Sequence, residues 1–142
     1  MSVVPAEGVD LFWERVEPLL APALLYSGGR IDADALYEGL ILRRYLLWVV
    51  LDDDVIHAAF ATRTAAYPRR RMLAVACAGG KRMREWLDLV QQTFRNYARD
   101  TDCDGVEMYG RPGWERALSR YGWKRTMVIM EVGRAAPEST DV

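Results

Sequence analysis

A chain of 142 residues, 51% of them hydrophobic and 27% charged, is sized for one domain with its own core and is too apolar for a disordered segment. A formal net charge of −1 excludes a protein that is basic all over and coats nucleic acid by charge alone. The absence of an 18-residue apolar run, with acids at Glu7 and Asp10 near the start, predicts neither a membrane span nor a signal peptide. Residues 1–8 read as a leader. Asp10 is a candidate N-cap for a first helix carrying Leu11, Phe12, Val16, Leu19 and Leu20; Pro18 and Pro22 predict that it is kinked or split, and Ser27-Gly28-Gly29 ends it. Asp32 caps a second helix with Leu36 and Leu40 facing inward and Arg43-Arg44 in its last turn.

The pattern then changes to strand. Tyr45–Leu51 and Val55–Thr64, joined at Asp52-Asp53-Asp54, predict a hairpin, and Met72–Cys77 a short buried strand. Ala78-Gly79-Gly80 reads as the turn into a long helix from about 81 to 99. There Met83, Trp86, Leu87, Val90, Phe94, Tyr97 and Ala98 recur at helical spacing. Val106–Tyr109 is a short strand, Gly110–Gly113 leads into a short helix over about Trp114–Arg120, and Lys124–Val132 alternates as a last strand. Residues 134–142 read as a loose tail. The order implies a single α/β domain over residues 9–133, with a mixed, mostly antiparallel sheet and helices on both faces.

This order, with a glycine turn opening the long helix, resembles the GNAT (Gcn5-related N-acetyltransferase) superfamily over about residues 9 to 132. The carrying signals are Met72–Val90, Val106–Tyr109 and Tyr121-Gly122-Trp123. More narrowly, the chain resembles the GNAT-like proteins of tailed bacteriophages, which include an internal virion protein of short-tailed phages. The pieces carrying that likeness are Ser27-Gly28-Gly29-Arg30, Leu47-Trp48-Val49, Tyr67-Pro68-Arg69-Arg70, Ala78-Gly79-Gly80 with Glu85-Trp86-Leu87, and Gly110-Arg111-Pro112-Gly113-Trp114. The resemblance implies acetyl-CoA as cofactor, held at Ala78, Gly79, Gly80, Lys81, Arg82 and Met83. Active members present backbone N–H groups to its pyrophosphate from a Q/R-x-x-G-x-G/A turn. Here Ala78, Lys81 and Met83 stand where the basic residue and the two glycines would be. Gly79, Gly80, Lys81 and Arg82 remain as a candidate anion nest, against a turn that only lets the strand enter the helix. Active members also often carry a tyrosine four residues before the Gly-Phe that opens the last strand. Gly122-Trp123 matches that pair, but Leu118 stands at the tyrosine position, leaving Tyr109 as the substitute acid.

Two side chains are candidate general bases. Glu107 faces the opposite side of its strand from Val106 and Met108; it reads either as a base for an ammonium group or as an ion-pair partner for an arginine. His57, among alanines in the hairpin's second strand, reads as a second base or as a structural residue. With one histidine, and with Cys77 and Cys103 outside any zinc spacing, no metal site is expected. Arg69-Arg70-Arg71 reads as a phosphate contact or a solvated loop. Two functions compete. One is a non-catalytic structural or assembly component of a phage particle, with other virion proteins as partners. The other is an acyl-CoA-dependent N-acetyltransferase acting on an amine. The missing glycines and tyrosine favour the first. Either is expected in the host cytoplasm or the virion, without membrane or nucleic-acid partners.

Overall fold

Strand β2 (Leu46–Asp52) and strand β3 (Val55–Ala66) form the antiparallel hairpin on which the sheet is built. Asp53 and Asp54 both adopt positive φ, 47° and 62°, as a two-residue turn matched to strand twist requires. The computed structural model describes residues 1–135. Around the hairpin the sheet has the order β1-β2-β3-β4-β5, with β1 at Ser2–Val4, β4 at Arg71–Gly80 and β5 at Gly105–Met108. The first four strands pair antiparallel and β5 joins β4 in parallel. The α/β class and the mixed, mostly antiparallel sheet match the sequence reading. Strand β1 falls within the residues read as a leader, because three residues with one buried valine, Val4, are too short for a visible alternation.

Helix α1 (Val9–Tyr26) and helix α2 (Ala33–Ile41) cover one face of the sheet. Val16, Leu20, Leu24, Leu36 and Leu40 meet Leu47, Val49, Ala59, Ala61 and Cys77 in one core. Helix α1 is continuous, where its prolines predict a kink or a split. Pro18 and Pro22 both lie on its exposed side, so carbonyls left without a helical donor face water rather than core. Helix α3 (Met83–Asp100) covers the other face. Phe94 packs edge-on to Trp48 and Phe60, at ring separations of 5.3 and 5.4 Å, and Trp86 packs edge-on to Phe60 at 5.7 Å. Thr62, buried on that face, accepts the Trp48 indole N–H at 2.9 Å.

Met1–Arg111 form one compact unit, and a second begins at Pro112. The second holds helix α4 (Pro112–Leu118), opened by a proline already shaped for a first helical turn, and a 3₁₀ turn at Ser119–Tyr121. The strand expected over Lys124–Val132 does not form. Its side chains alternate as a strand's would, but a strand exists only when its backbone is paired, and no ladder includes this segment. Most of the tail expected at 134–142 lies outside the described residues.

Phe94→Ala, which empties the centre of the aromatic cluster under α3, is expected to cost about 3–5 kcal/mol. A urea midpoint within a few tenths molar of the parent would show that α3 does not press this face on the sheet.

Candidate functional site

The site begins at a mismatch between β3 and β4. The pairing runs Ala61 with Cys77 and then Thr62 with Val75, so Ala76 is an extra residue in β4. A bulge of this kind switches which residues turn their backbone groups to which neighbour. Before it, Arg71 and Val75 direct carbonyls towards β5, where they accept from Asp104 N–H at 2.7 Å and Tyr109 N–H at 3.1 Å. Beyond it, Lys81 donates its N–H to the His57 carbonyl at 2.8 Å, so Cys77 and Gly79 also face β3 by alternation. Ala78 and Gly80 therefore direct their backbone groups to the opposite edge. The Ala78 carbonyl accepts there from Arg111 Nη2 at 3.4 Å. Strand β5 is paired with β4 only from Met72 to Val75, so among the described residues no strand pairs with this edge from Ala76 to Gly80. The two strands part at Val75, and the edge beyond it runs as a ledge of backbone from Ala78, buried under Arg111, to the exposed Gly80.

The strand runs to Gly80, three residues past the end read from the sequence. Its glycines are explained by close packing. A Cβ on Gly79 would lie 1.9 Å from the Leu19 carbonyl of α1, and one on Gly80 would lie 2.6 Å from the His57 carbonyl. Of the expected nest, Ala78, Gly79 and Gly80 are strand, and the Lys81 N–H is spent on His57. Arg82 takes a left-handed conformation, φ 59°, before Met83 opens α3 and pairs its guanidinium with Glu85 at 2.7 Å. Among the described residues no salt bridge engages the Lys81 ammonium. An acyl-CoA would thus have the exposed Gly80 backbone for amide pairing and Lys81, Arg84 and the α3 N-terminus for phosphate.

At the fork itself lies a cluster of oxygens. Glu107 pairs with Ala74 in the ladder, and Tyr109, two residues on, shares its face. The hydroxyls of Tyr109 and Tyr67 each donate to Glu107 Oε2 at 2.9 Å and lie 3.1 Å from one another. The bond with Tyr67 leads in holding the Tyr109 hydroxyl well above the ordinary tyrosine range, followed by burial and by the bond and charge of Glu107. The arginine partner expected for Glu107 is replaced by two phenols. Tyr67 was missed as a site residue: it precedes Pro68 in a turn, and nothing local announces a bond to a residue 40 positions away. His57 is not brought to this cluster. It lies opposite Lys81, seven β4 positions from the residue paired with Glu107, roughly 20 Å along the strand. Among the described residues, no group of three potential metal ligands gathers.

Behind the ledge, the Cys77 side chain is buried in the core under α1. Burial pushes the Cys77 thiol up to about 11, against the pull of the Arg111 charge and a backbone bond at Ala78.

With this geometry in view, the comparisons with known proteins are informative. No family model matches the sequence, and no curated protein does. Solved structures do. A predicted acetyltransferase with acetyl-CoA from Clostridium acetobutylicum superposes with a TM-score of 0.68 at 14% identity, over 93% of this chain and 94% of that one. The chain has the GNAT fold. A ribosomal-protein-alanine N-acetyltransferase from Brucella melitensis biovar Abortus 2308 gives 0.65 at 15% identity, over 94% and 98% of the two chains. An aminoglycoside N-acetyltransferase in complex with CoA gives 0.59 at 14% identity, over 82% and 85%. At these identities the likeness establishes the GNAT fold and leaves the chemistry to the residues of this chain.

The Cys77 thiol provides a pH test of the closed packing under the ledge. An unfolded chain ionises a thiol near 8.5, the folded one near 11, so this contribution is fully present below about pH 8.5 and is lost as pH rises towards 11. Parent stability is expected to fall by about 2–3 kcal/mol more than that of Cys77→Ala between pH 8 and pH 11. Urea midpoints of the two proteins that move in parallel over that range would contradict it.

Proposed function

We propose that the chain is an acyl-CoA-dependent N-acetyltransferase that passes an acetyl group to an amine. The observation that carries this reading is the parting of β4 and β5 at Val75, which places a backbone ledge on one side of the fork and the Glu107 carboxylate on the other. Structural neighbours bearing acetyl-CoA and CoA support it. Acetyl-CoA supplies an acyl group activated as a thioester. In the transfer the amine nitrogen bonds to the acyl carbon, the carbon–sulfur bond breaks, and the thiolate leaves with a proton. The Gly80 backbone aligns the acyl carrier along the ledge, and Lys81 and Arg84 meet its phosphates. Glu107 accepts the proton that the amine loses. Tyr109 keeps its own proton at neutral pH and orients that carboxylate. Leu118 has no proton to give and the Tyr109 proton is held on Glu107, so protonation of the thiolate falls to solvent. Among the described residues no helix is long and apolar enough to cross a membrane.

A second reading keeps the fold and drops the chemistry: a non-catalytic component of a phage particle, assembled with other virion proteins. It is favoured by the glycines, which serve packing against α1 and β3, and by the N–H of Lys81, which is already spent.

Calorimetry with acetyl-CoA separates the two. On the transferase reading, ligand at 100 times its Kd stabilises the fold by about 2.7 kcal/mol. Glu107→Gln is then expected to retain that binding and to lose about 10²–10⁴-fold in transfer rate. A folded parent that shows no binding at millimolar acetyl-CoA supports the particle component.

A further inference from the structure

Residues 124–132 carry the alternation of a strand, yet among the described residues no ladder takes up their N–H and C=O groups. Both faces of the alternation are apolar. Met127 and Ile129 stand on one, and Val128, Met130 and Val132 on the other, all five between 62% and 89% exposed. Scattered apolar side chains are ordinary on a protein surface, but these five fall within six consecutive residues, and contiguous apolar patches mark interaction sites. An alternation apolar on both faces belongs to a strand covered on both sides. With its backbone unpaired as well, such a segment is a template for another strand.

Strand β5, at one end of the sheet, has four residues and would pair under half of the segment. A second copy of the segment pairs all nine residues, and the side chains match. In an antiparallel pair about a two-fold axis at Val128, Met127 stands opposite Ile129, Thr126 opposite Met130, Lys124 opposite Val132 and Arg125 opposite Glu131. Opposite charges therefore meet twice, once on each side of the axis. Moving the axis one residue either way sets Arg125 against Ile129 or Glu131 against Met127. Arg125 also bonds Glu115 of α4 at 2.6 Å, and a guanidinium has donors enough for both carboxylates. The apolar side chains of two such segments carry roughly 600–1,200 Å² of surface. Withdrawn between two chains together with the paired backbone, that area reaches the ~1,200 Å² at which specific interfaces begin. We infer that residues 124–132 are a dimerisation strand, paired antiparallel with the same segment of a second copy about an axis at Val128. Such a dimer serves a transferase and a particle component alike.

The test is light scattering of the full chain over a dilution series, joined to cross-linking of cysteine variants in a Cys103→Ser background. The parent is expected at twice the chain mass. Val128→Lys sets two ammonium groups opposite each other and, with its fold checked by circular dichroism, is expected to weaken association at least tenfold. Residues directly opposite in an antiparallel pair have Cα atoms about 4.5–5.5 Å apart, within disulfide reach. Val128→Cys is therefore expected to cross-link to itself under a mild oxidant. Lys124→Cys and Val132→Cys are expected to cross-link only when the two variants are mixed and allowed to exchange. A monomeric parent overturns the inference, since the segment then finds its strand within its own chain or on a different protein. A dimer that survives Val128→Lys, or whose Val128→Cys variant does not cross-link, is built on another surface and overturns it equally.

Discussion

One extra residue, Ala76, governs the working half of this molecule. Up to Val75, β4 is an interior strand with a neighbour on either side. The bulge turns the ladder over, so that Cys77 and Gly79 face β3 with their backbones and α1 with their side positions, while Ala78 and Gly80 turn to the other edge. A bulge is a small local change, yet it decides here which backbone groups a ligand can reach. It also decides where the α1 helix can sit, because Leu19 approaches so closely that only a glycine fits beneath it.

The same fork concentrates charge. Strand β5 contributes Glu107, Tyr109 follows just past its end, and the β3–β4 turn contributes Tyr67. A helix face or a lone loop does not bring these three groups together; the parallel register of β5 on β4 does. The phenols fix a carboxylate that would otherwise rotate freely in solvent, and fixing a charged group in advance is the main electrostatic contribution a protein makes to a transfer reaction. Beneath the ledge Cys77 is buried among the side chains of α1.

Much of this was legible in the residues. The face of α3 bearing Trp86, Leu87, Val90 and Phe94 follows from its 3.6-residue period, and the hairpin from β-branched runs on either side of three aspartates. Glu107 was picked out by alternation, and Tyr109 as the substitute for the tyrosine that the GNAT resemblance implies. Other features depend on partners far along the chain. Ala78-Gly79-Gly80 looks like a turn because small residues carry no strand signature, yet those positions are small because a helix carbonyl and a neighbouring strand press on them. The bulge leaves no mark on the composition of β4. Lys124–Val132 shows the opposite failure: a strong alternation that predicts a strand, in a segment whose backbone has no ladder to join. Tyr67 could not be recognised, since its role exists only once β5 is in place.

The account stands on the switch of backbone direction at Ala76, and residue-resolved amide exchange reads it directly. If the switch is as described, the Ala78 and Gly80 amides exchange much faster than those of Cys77, Gly79 and Lys81, whose N–H groups face β3. Uniform protection from Cys77 through Lys81 would mean that another strand closes the edge, and the fork on which the site depends would not exist.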